Sequence, residues 1–309
     1  MAESALSTAK EARRARSLRL FGLLSPGGFW LIVFFTLPLL FILVISLVEK
    51  GRAGGVKVPL QFTLDAYTQF ANACSSEFSG PDCDRWLYIR IFLNSALIAL
   101  MVTAVCLLLG YPLAYFIARQ RRNLRNVMLL LVMIPFWTNF LVRTYALKQV
   151  LAETGLLNTA LMNLGIIGEP IPLLFNMTGV LVGLAYGYLP FAVLPLYASI
   201  EKFDFSLMEA AADLGANSRR AFWRVMLPMT LPGVVAAFVL VFVPVVGAFV
   251  TPDIMSGGKV EMIGTLINRQ FGSSRNWPFG SAISFVMMLL VLAGVIYYLR
   301  SGSKEERAL

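Results

Sequence analysis

The sequence predicts an all-α integral membrane protein with six transmembrane helices. Hydrophobic residues make up 58% of its 309 residues and charged residues 14%, whereas soluble domains are about half apolar and a quarter charged. The mean hydropathy is +0.74. Several apolar runs also reach the length of about 20 residues that a helix needs to cross a bilayer. These observations exclude a soluble globular domain.

Six separate apolar runs predict the six crossings, which lie near 28–48, 93–118, 127–150, 178–200, 233–251 and 282–299. The first run is longer than the core of about 7 to 15 residues in a cleaved signal peptide, and it continues directly into Glu49 and Lys50. We therefore expect a retained anchor, a membrane domain over 27–300, and short tails at 1–26 and 301–309.

Basic residues mark one side of the predicted crossings. Cytoplasmic loops of membrane proteins carry an excess of lysine and arginine. Here the clusters precede the first crossing and follow the second, fourth and sixth: Lys10, Arg13, Arg14, Arg16, Arg19, Arg119, Arg121, Arg122, Arg125, Lys202, Arg219, Arg220, Arg224, Arg300, Lys304 and Arg307. This pattern predicts cytoplasmic termini. It also accounts for most of the net charge of +9, so we expect no nucleic-acid partner.

The first external loop, 49–90, contains two of the three cysteines. Cys74 and Cys83 would lie in an oxidising compartment, where they could form a disulfide or remain as two free thiols. Cys106 falls inside the second crossing, and the chain has no histidine. Histidine-based catalytic and metal sites are therefore excluded, and we expect no bound metal.

The third and fourth crossings contain residues that interrupt helices. Pro135, Thr138 and Asn139 lie in the third, and two further prolines lie in the fourth. In lipid, such breaks persist only where neighbouring helices or a water-lined cavity satisfy the freed backbone groups. These crossings should therefore face protein or a transport pathway. The spacing of Gly183 and Gly187 indicates helix packing.

A polar hairpin over 201–232 separates the fourth and fifth crossings. Ser206 and Glu209 have the spacing of a capping box, which predicts that a helix begins at Ser206. Gly215 is placed for a left-handed helix end. Between them, an apolar stripe recurs at i, i+3, i+4 and i+7 and consists of Leu207, Ala210, Ala211 and Leu214.

A second short helix should follow this bend. Asn217 or Ser218 can cap it, and apolar residues from Phe222 onward continue the helical spacing. Pro228 and Pro232 are expected to break this helix before the fifth crossing begins.

The stripe on the first hairpin helix has two possible partners. It could rest on lipid headgroups while Arg219, Arg220 and Arg224 contact acidic lipid. It is narrow, however, and flanked by charge, which suits insertion into a groove of another protein. Periodicity alone leaves both partners open.

The hairpin resembles the EAA loop of ATP-binding-cassette (ABC) importer permeases. That pattern is Glu-Ala-Ala, three residues, Gly, nine residues, Ile, any residue and Leu-Pro. The hairpin matches every spacing, with valine for isoleucine: Glu209, Ala210, Ala211, Gly215, Val225, Leu227 and Pro228. The resemblance implies a type I ABC importer permease fold, in which this loop is a cytoplasmic coupling helix that docks into an ATPase subunit.

By this resemblance, ten residues are expected to couple the chain to the ATPase: Glu209, Ala210, Ala211, Asp213, Gly215, Arg219, Arg220, Phe222, Leu227 and Pro228. The two acids would charge the start of the helix, and the alanines would permit close approach. Gly215 would supply the bend. Arg219 and Arg220 would pair with ATPase acids or lipid phosphates.

Further motifs resemble the spermidine/putrescine branch of these permeases, and the likeness covers about residues 25–300. The motifs are Pro135-Phe136-Trp137-Thr138, Arg143-Thr144-Tyr145-Ala146, Gly155-Leu156-Leu157-Asn158, Gly257-Gly258-Lys259 and Asn276-Trp277-Pro278-Phe279-Gly280. The resemblance implies a bacterial inner-membrane importer with two ATPase subunits, a second and different permease, and an external solute-binding protein. It also implies a polyamine such as putrescine or spermidine as cargo.

The chain lacks the phosphate loop of an ATPase. Its nearest fragment, Gly257-Gly258-Lys259-Val260, has no hydroxyl group for magnesium. We therefore expect no enzymatic activity and no cofactor in this chain, with ATP and Mg bound by the separate ATPase.

Residues with aromatic faces or a negative charge are candidates for the cargo pathway: Trp137, Tyr145, Tyr186, Tyr188 and Asp253. A desolvated cation over an aromatic ring gains about 2 kcal/mol, although each of these residues can equally be a packing or interfacial residue. Arg143 would repel cationic cargo. Its cost in lipid predicts a position near the outer surface or an ion pair with Glu153 or Asp253.

Other function classes also fit parts of the pattern. A self-sufficient channel or secondary transporter is expected to show inverted repeats and ionisable residues at the membrane midplane, and the sequence shows no clear repeat. A membrane scaffold without cargo is a further alternative. So is an importer of an amino acid, an opine or another small organic solute.

Overall fold

The computed structural model describes residues 25–51, 54–73 and 85–305, with side chains up to residue 296. In that part of the chain all the longer regular elements are helices, and β-structure is confined to two isolated bridges in the first loop. In chain order the helices are α1 (Ser25–Ser46), α2 (Asp65–Ala71), α3 (Leu87–Ala118), α4 (Arg122–Trp137), α5 (Phe140–Leu151), α6 (Leu156–Asn163), α7 (Met177–Glu201), α8 (Ser206–Asp213), α9 (Ser218–Val246), α10 (Val250–Ser256), α11 (Ile263–Phe271) and α12 (Trp277–Glu305).

Within the described residues, five helices are long and apolar enough to cross a membrane, namely α1, α3, α7, α9 and α12. The run predicted as the third crossing is not one helix. It divides into α4 and a second part that begins with α5, and the two parts meet at a bend of 94°. Six crossings result if this bent pair counts as one.

The core forms where α3, α7 and α9 pack against one another. Ile98 of α3, Leu196 of α7 and Val241 of α9 are completely buried there. The helices approach closely because small residues line the crossings, as membrane helices require. At Gly233 of α9, an added Cβ would lie 2.3 Å from the Cβ of Ser199 on α7.

The first and last crossings form a separate layer, in which α1 packs against α12. No residue in the most apolar stretch of α1 is buried, and Trp30 and Phe34 stack on its outer surface with ring centroids 5.2 Å apart. An apolar helix with so little of its surface buried in its own chain belongs in lipid or against a second membrane chain.

The helices α10 and α11 lie between the fifth and sixth crossings, at the end of the molecule opposite the hairpin. There α10 packs on α5 and α7. A Cβ at Gly183 of α7 would lie 2.8 Å from Thr251 Cγ2 of α10, which confirms that Gly183 serves helix packing. Gly187 is less tightly enclosed, since its nearest neighbour in the same test is Phe140 at 4.0 Å.

Two residues of the motifs shared with the polyamine branch fasten this end of the fold. The amide group of Asn158 is buried, donates to the carbonyls of Ala152 and Ile171, and accepts from the Ile171 amide at 2.9 Å. Phe279 is buried and meets the Tyr88 ring edge-on at 4.8 Å. The Asn158 contacts close a loop, and the Phe279 contact joins the starts of α3 and α12, so both residues have a structural role.

Candidate functional site

The first arm of the hairpin is α8, and it begins at Ser206 as predicted, although its cap is different. Ser206 does not cap the helix. Asp204 does, because its Oδ1 accepts from the Ser206 amide at 3.0 Å and its carbonyl accepts from the Leu207 amide at 3.2 Å. The predicted capping box of Ser206 and Glu209 is therefore wrong. Both residues lie inside the helix, with Glu209 in its first turn.

The cap at Asp204 has an electrostatic consequence. The hydrogen bond from the Ser206 amide stabilises the ionised carboxylate and lowers the pKa of Asp204 below its ordinary value. A negative charge at this position also faces the partial positive charge of the helix start.

The bend of the hairpin has the geometry of a Schellman motif. Gly215 has a φ of +82°, and its amide donates to the Ala212 carbonyl at 2.9 Å. The next amide, that of Ala216, donates to the Ala211 carbonyl at 3.0 Å. The predicted left-handed end at Gly215 is confirmed. Glycine is required here because other residues pay a steric penalty at positive φ.

The second arm of the hairpin is continuous with the fifth crossing. Asn217 caps it by accepting from the Arg220 amide at 2.8 Å, and the helix then runs without interruption from Ser218 to Val246. The predicted break at Pro228 and Pro232 is wrong.

A wider turn lets the helix pass its prolines. Residues Phe222–Met226 form a π-turn, in which the Leu227 amide donates to the Phe222 carbonyl. Pro228 follows within the first two residues after this turn. The change of register accommodates the backbone donor that proline lacks, so Leu227 and Pro228 belong to one continuous helix.

The apolar stripe on α8 is exposed. Leu207 is 37% accessible and Leu214 is 90% accessible, while Ala210 is exposed and Ala211 half-buried. Met208 instead turns inward and packs on the core. The stripe thus lacks a partner within the described part of the chain and is available for contact with another molecule.

The charged residues predicted for coupling lie on the same hairpin as this stripe. Glu209, Asp213, Arg219 and Arg220 are all exposed, as is Pro228, whereas Phe222 and Leu227 are half-buried. The structure therefore brings the predicted coupling residues together on one hairpin, with an apolar centre and a charged border.

An ion pair joins the base of the hairpin to the broken third crossing. Arg125 of α4 lies 3.0 Å from the carboxylate of Glu201 at the end of α7. This contact ties the start of α4 to the residue after which the hairpin leaves the fourth crossing.

The bend in the third crossing is held by Arg143. Its Nη1 donates to the Pro135 carbonyl at 3.1 Å, and its guanidinium lies 5.9 Å from the Phe136 ring, 5.5 Å from the Phe140 ring and 6.0 Å from the Tyr186 ring. The expected ion pair with Glu153 or Asp253 is wrong: the aromatic faces of three helices take the place of an acid.

The candidate pathway residues lie on four helices around this bend. Tyr186 contacts Arg143, and Tyr188 lies 5.9 Å from the Phe191 ring, which meets Phe136 at 5.0 Å. Trp137 and Tyr145 are 73% and 54% exposed and are not part of this ring cluster as far as the described residues show. Asp253 is exposed on α10, which packs on α5 and α7.

The aromatic cluster itself was not predicted as a site. Phe136, Phe140 and Phe191 complete it, and their phenylalanine side chains carry no local signal that separates them from ordinary apolar residues of a crossing. The sequence signals at this position were the charge of Arg143, the break at Pro135 and the two tyrosines of the fourth crossing.

Two further predictions concern cysteines and metals. Cys74 and Cys83 lie outside the described residues, and the pairing between them stays a prediction. Cys106 is buried in α3 as a free thiol. Among the residues that the structure describes, no group of three acidic or cysteine side chains could hold a metal ion.

The sequence matches one protein family and is similar to members with known names. Residues 107–301 match the family model described as "Binding-protein-dependent transport system inner membrane component". The chain is 39% identical over 278 residues to the spermidine/putrescine transport system permease protein PotB of Haemophilus influenzae, which covers 90% of this chain and 92% of the relative. It is 41% identical over 273 residues to PotB of Escherichia coli, covering 88% and 94%.

The fold is similar to that of solved transporter structures. A chain of a bacterial ABC transporter involved in the import of the acidic polysaccharide alginate superimposes with a TM-score of 0.64 at 17% identity. The match covers 94% of this chain and 96% of the other. At this identity the likeness concerns the fold alone.

Proposed function

The chain belongs to the binding-protein-dependent transport system inner membrane components, the permeases of ABC importers, and we propose that it forms half of the pathway that imports a polyamine such as putrescine or spermidine. It is a multi-pass inner-membrane protein with the type I permease fold. The observation that carries the cargo is the identity of about 40% to spermidine/putrescine permeases over about 90% of the chain.

The aromatic cluster gives the cargo proposal a physical basis. A primary ammonium group binds over aromatic faces. Tyr188 lies in this cluster beside Phe191, and Tyr186 offers its ring to the Arg143 guanidinium in this conformation. Trp137 and Tyr145 offer exposed rings on neighbouring helices, and Asp253 offers a charge. The proposed pathway runs past these residues. The charge of Arg143 is held against its own rings in this conformation.

The hairpin is proposed to dock into a separate ATPase. Its narrow apolar stripe with a charged border suits a protein groove, and the chain has no phosphate loop of its own. ATP and Mg would be bound by two ATPase subunits, and the pathway would be completed by a second, different permease. An external solute-binding protein would deliver cargo. In this arrangement the hairpin and both termini face the cytoplasm.

The proposed mechanism follows from the connection of the hairpin to the crossings. Closure of the ATPase dimer on ATP moves the docked hairpin, and the crossings then rock between an outward-open and an inward-open pathway. A ligand shifts such an equilibrium only if it binds the two states with different affinity. The hairpin must therefore keep its grip on the ATPase while its own position changes.

Co-purification with the ATPase tests the docking role. Ala211→Asp places a charge in the stripe and should abolish association. Ala212→Asp is the matched control, since residue 212 is also exposed and lies roughly 150° around the helix from the centre of the stripe. Equal retention of the ATPase by both variants would refute docking through this stripe.

Competition for uptake tests the cargo. Labelled putrescine is presented with the matching solute-binding protein to the reconstituted complex, and unlabelled spermidine, amino acids and opines are added in turn. Spermidine alone should compete. No uptake of labelled putrescine by the complete complex would leave the importer class standing and overturn the polyamine cargo.

A further inference from the structure

One face of the second crossing holds both ends of the hairpin. Tyr111 and Tyr115 in the last turns of α3 and Arg119, the residue that directly follows the helix, are spaced every fourth residue, so their side chains form one stripe at the hairpin end of α3. We call these three residues the α3 stripe. The function proposed above does not use them.

The first contact of the α3 stripe is with the second arm of the hairpin. The Tyr111 ring meets the Phe222 ring edge-on at 5.5 Å and 89°. The Tyr111 hydroxyl and Thr230 Oγ1 lie 2.8 Å apart and share a hydrogen bond. Thr230 is only 1% exposed. Hydrogen bonds in such a dry setting are strong, so this contact is rigid, and it spans the π-turn from its first residue to beyond its last.

The second contact is with the first arm. The Tyr115 ring lies 6.1 Å from the Phe205 ring, and Phe205 directly precedes α8. The guanidinium of Arg119 covers both rings, at 5.6 Å from Tyr115 and 6.0 Å from Phe205, and donates to the Tyr115 hydroxyl at 3.0 Å. Arg119 is exposed, so water weakens this contact. It can break and re-form more easily than the contact at Tyr111.

The two contacts enclose the docking surface between them. Phe205 lies just before the exposed stripe of α8, and Phe222 lies just after the bend and the second cap. A force applied to the hairpin by a docked ATPase can pass through these two anchor points, through the packing of Met208 on the core, or along the chain itself. Both anchor points lie on α3, which is also a principal helix of the core.

We propose that the α3 stripe receives the displacement of the docked hairpin and converts it into movement of the second crossing. Tyr115 and Arg119 are then positioning residues for transport, although neither touches cargo or nucleotide. This inference rests on the proposed function of the chain as an ATPase-driven permease. Loss of the α3 stripe should leave docking of the ATPase intact, so that ATP is still hydrolysed while less cargo is transported.

The test uses the complete complex in proteoliposomes with the solute-binding protein. ATP hydrolysis and putrescine uptake are measured together for Tyr115→Ala and Arg119→Ala. Each variant should keep its ATPase and lower the ratio of putrescine imported to ATP hydrolysed by about fivefold or more, a typical size for lost coupling between sites. Tyr115→Phe, which keeps the ring, should restore most of the ratio.

Arg121→Ala controls for the loss of a positive charge, because Arg121 is exposed on the same short link between α3 and α4. Its ratio should equal that of the unaltered protein. An unchanged ratio in Tyr115→Ala and Arg119→Ala would overturn the proposal. Loss of the ATPase from these variants would also overturn it, because the residues would then serve docking or folding.

A readout without cargo separates this inference from the proposed function. Spin labels are attached at exposed positions 108 of α3 and 182 of α7, after the three native cysteines are replaced by alanine. Trapping the ATPase with ATP and vanadate should change the distance between the labels, and Tyr115→Ala should reduce that change by about half or more.

The two readouts can then fail separately. If the distance change depends on Tyr115 but putrescine does not stimulate the complex, the role of the α3 stripe is supported and the polyamine cargo is refuted. If Tyr115→Ala leaves the distance change intact, the role of the α3 stripe is refuted, whatever the cargo is.

Discussion

The hairpin and the bend in the third crossing are built from similar parts and arranged in opposite ways. Each is followed by an asparagine that caps the next helix, Asn217 in the hairpin and Asn139 in the crossing. At Gly215 of the hairpin no atom lies within 4 Å of an added Cβ. The other bend is closed by Arg143, which binds the Pro135 carbonyl and the rings around it.

This difference indicates which contacts stabilise each region. The bend in the crossing is stabilised from within the chain, so its angle is fixed before any partner binds. The hairpin has its own contacts at its two ends, at the hydrogen-bonded bend and at Met208, but it displays its apolar stripe outward. Damage to the first should be measurable in the isolated permease, whereas damage to the second should be measurable mainly in the complex.

The largest expected effect in the isolated chain is that of Arg143→Ala. The variant loses a charged hydrogen bond and three contacts with aromatic faces, which should lower the free energy of unfolding by about 2–4 kcal/mol. Thermal unfolding of the purified permease in detergent, without any partner, measures this loss. Arg143→Lys keeps the charge but lacks the planar guanidinium group, so its stability should lie between that of the unaltered protein and that of Arg143→Ala. An unaltered midpoint in Arg143→Ala would show that the bend does not depend on this clamp.

A smaller effect is expected at the free bend. Gly215→Ala places a side chain at positive φ, which costs about 1–2 kcal/mol. If the hairpin relieves that strain by changing its angle, its affinity for the ATPase should fall by about fivefold or more. Binding of the purified ATPase to the permease in nanodiscs measures the change.

Gly165→Ala is the matched control for this prediction. Gly165 has a φ of +68°, with nothing within 4 Å of an added Cβ, so it imposes the same strain far from the hairpin in sequence. Both variants should be slightly less stable, and only Gly215→Ala should bind the ATPase more weakly. Equal ATPase binding by the two variants would contradict a special role for the hairpin bend.

The smallest effect concerns the start of the hairpin and depends on pH. The pKa of Asp204 is lower in the folded state than in an unfolded chain, so its carboxylate stabilises α8 above the unfolded pKa of about 4. That stabilisation is lost as the pH falls through the folded pKa. Hydrogen exchange of the first α8 amides should show weaker protection at about pH 3 than at pH 7, after correction for intrinsic rates.

Two substitutions check the origin of this pH dependence. Asp204→Asn keeps an acceptor for the Ser206 amide and should make protection of the first turn independent of pH. Asp204→Ala should reduce protection at every pH. Full protection in Asp204→Ala at pH 7 would mean that another group caps the helix.

The same two regions show what could be predicted from sequence. The signals of the hairpin are local, so the stripe, the glycine bend and the asparagine cap could all be placed within about twenty residues. The cap at Asp204 was missed because Asp204 and Ser206 are both good capping residues and helix ends are uncertain by one or two positions. The π-turn before Pro228 has no comparable sequence signal, which is why a break was predicted there.

The bend in the third crossing was only partly predictable. Pro135, Thr138 and Asn139 indicated an interruption, yet neither its angle nor its clamp follows from them. The partners of Arg143 come from α4, α5 and α7, so their proximity is a property of the folded chain. An acid was the obvious partner by charge, and the aromatic faces were invisible to that argument.

The uninterrupted helix from Ser218 to Val246 sets how far the hairpin reaches. Its 29 residues span about 43 Å at a rise of about 1.5 Å per residue, whereas the hydrocarbon layer is about 30 Å thick. About 13 Å of this continuous helix therefore extends beyond the hydrocarbon layer. If the helix tilts about the membrane surface, its end in water and its part within the bilayer move in opposite directions. A small displacement of the hairpin outside the membrane then changes the distances between helices inside it.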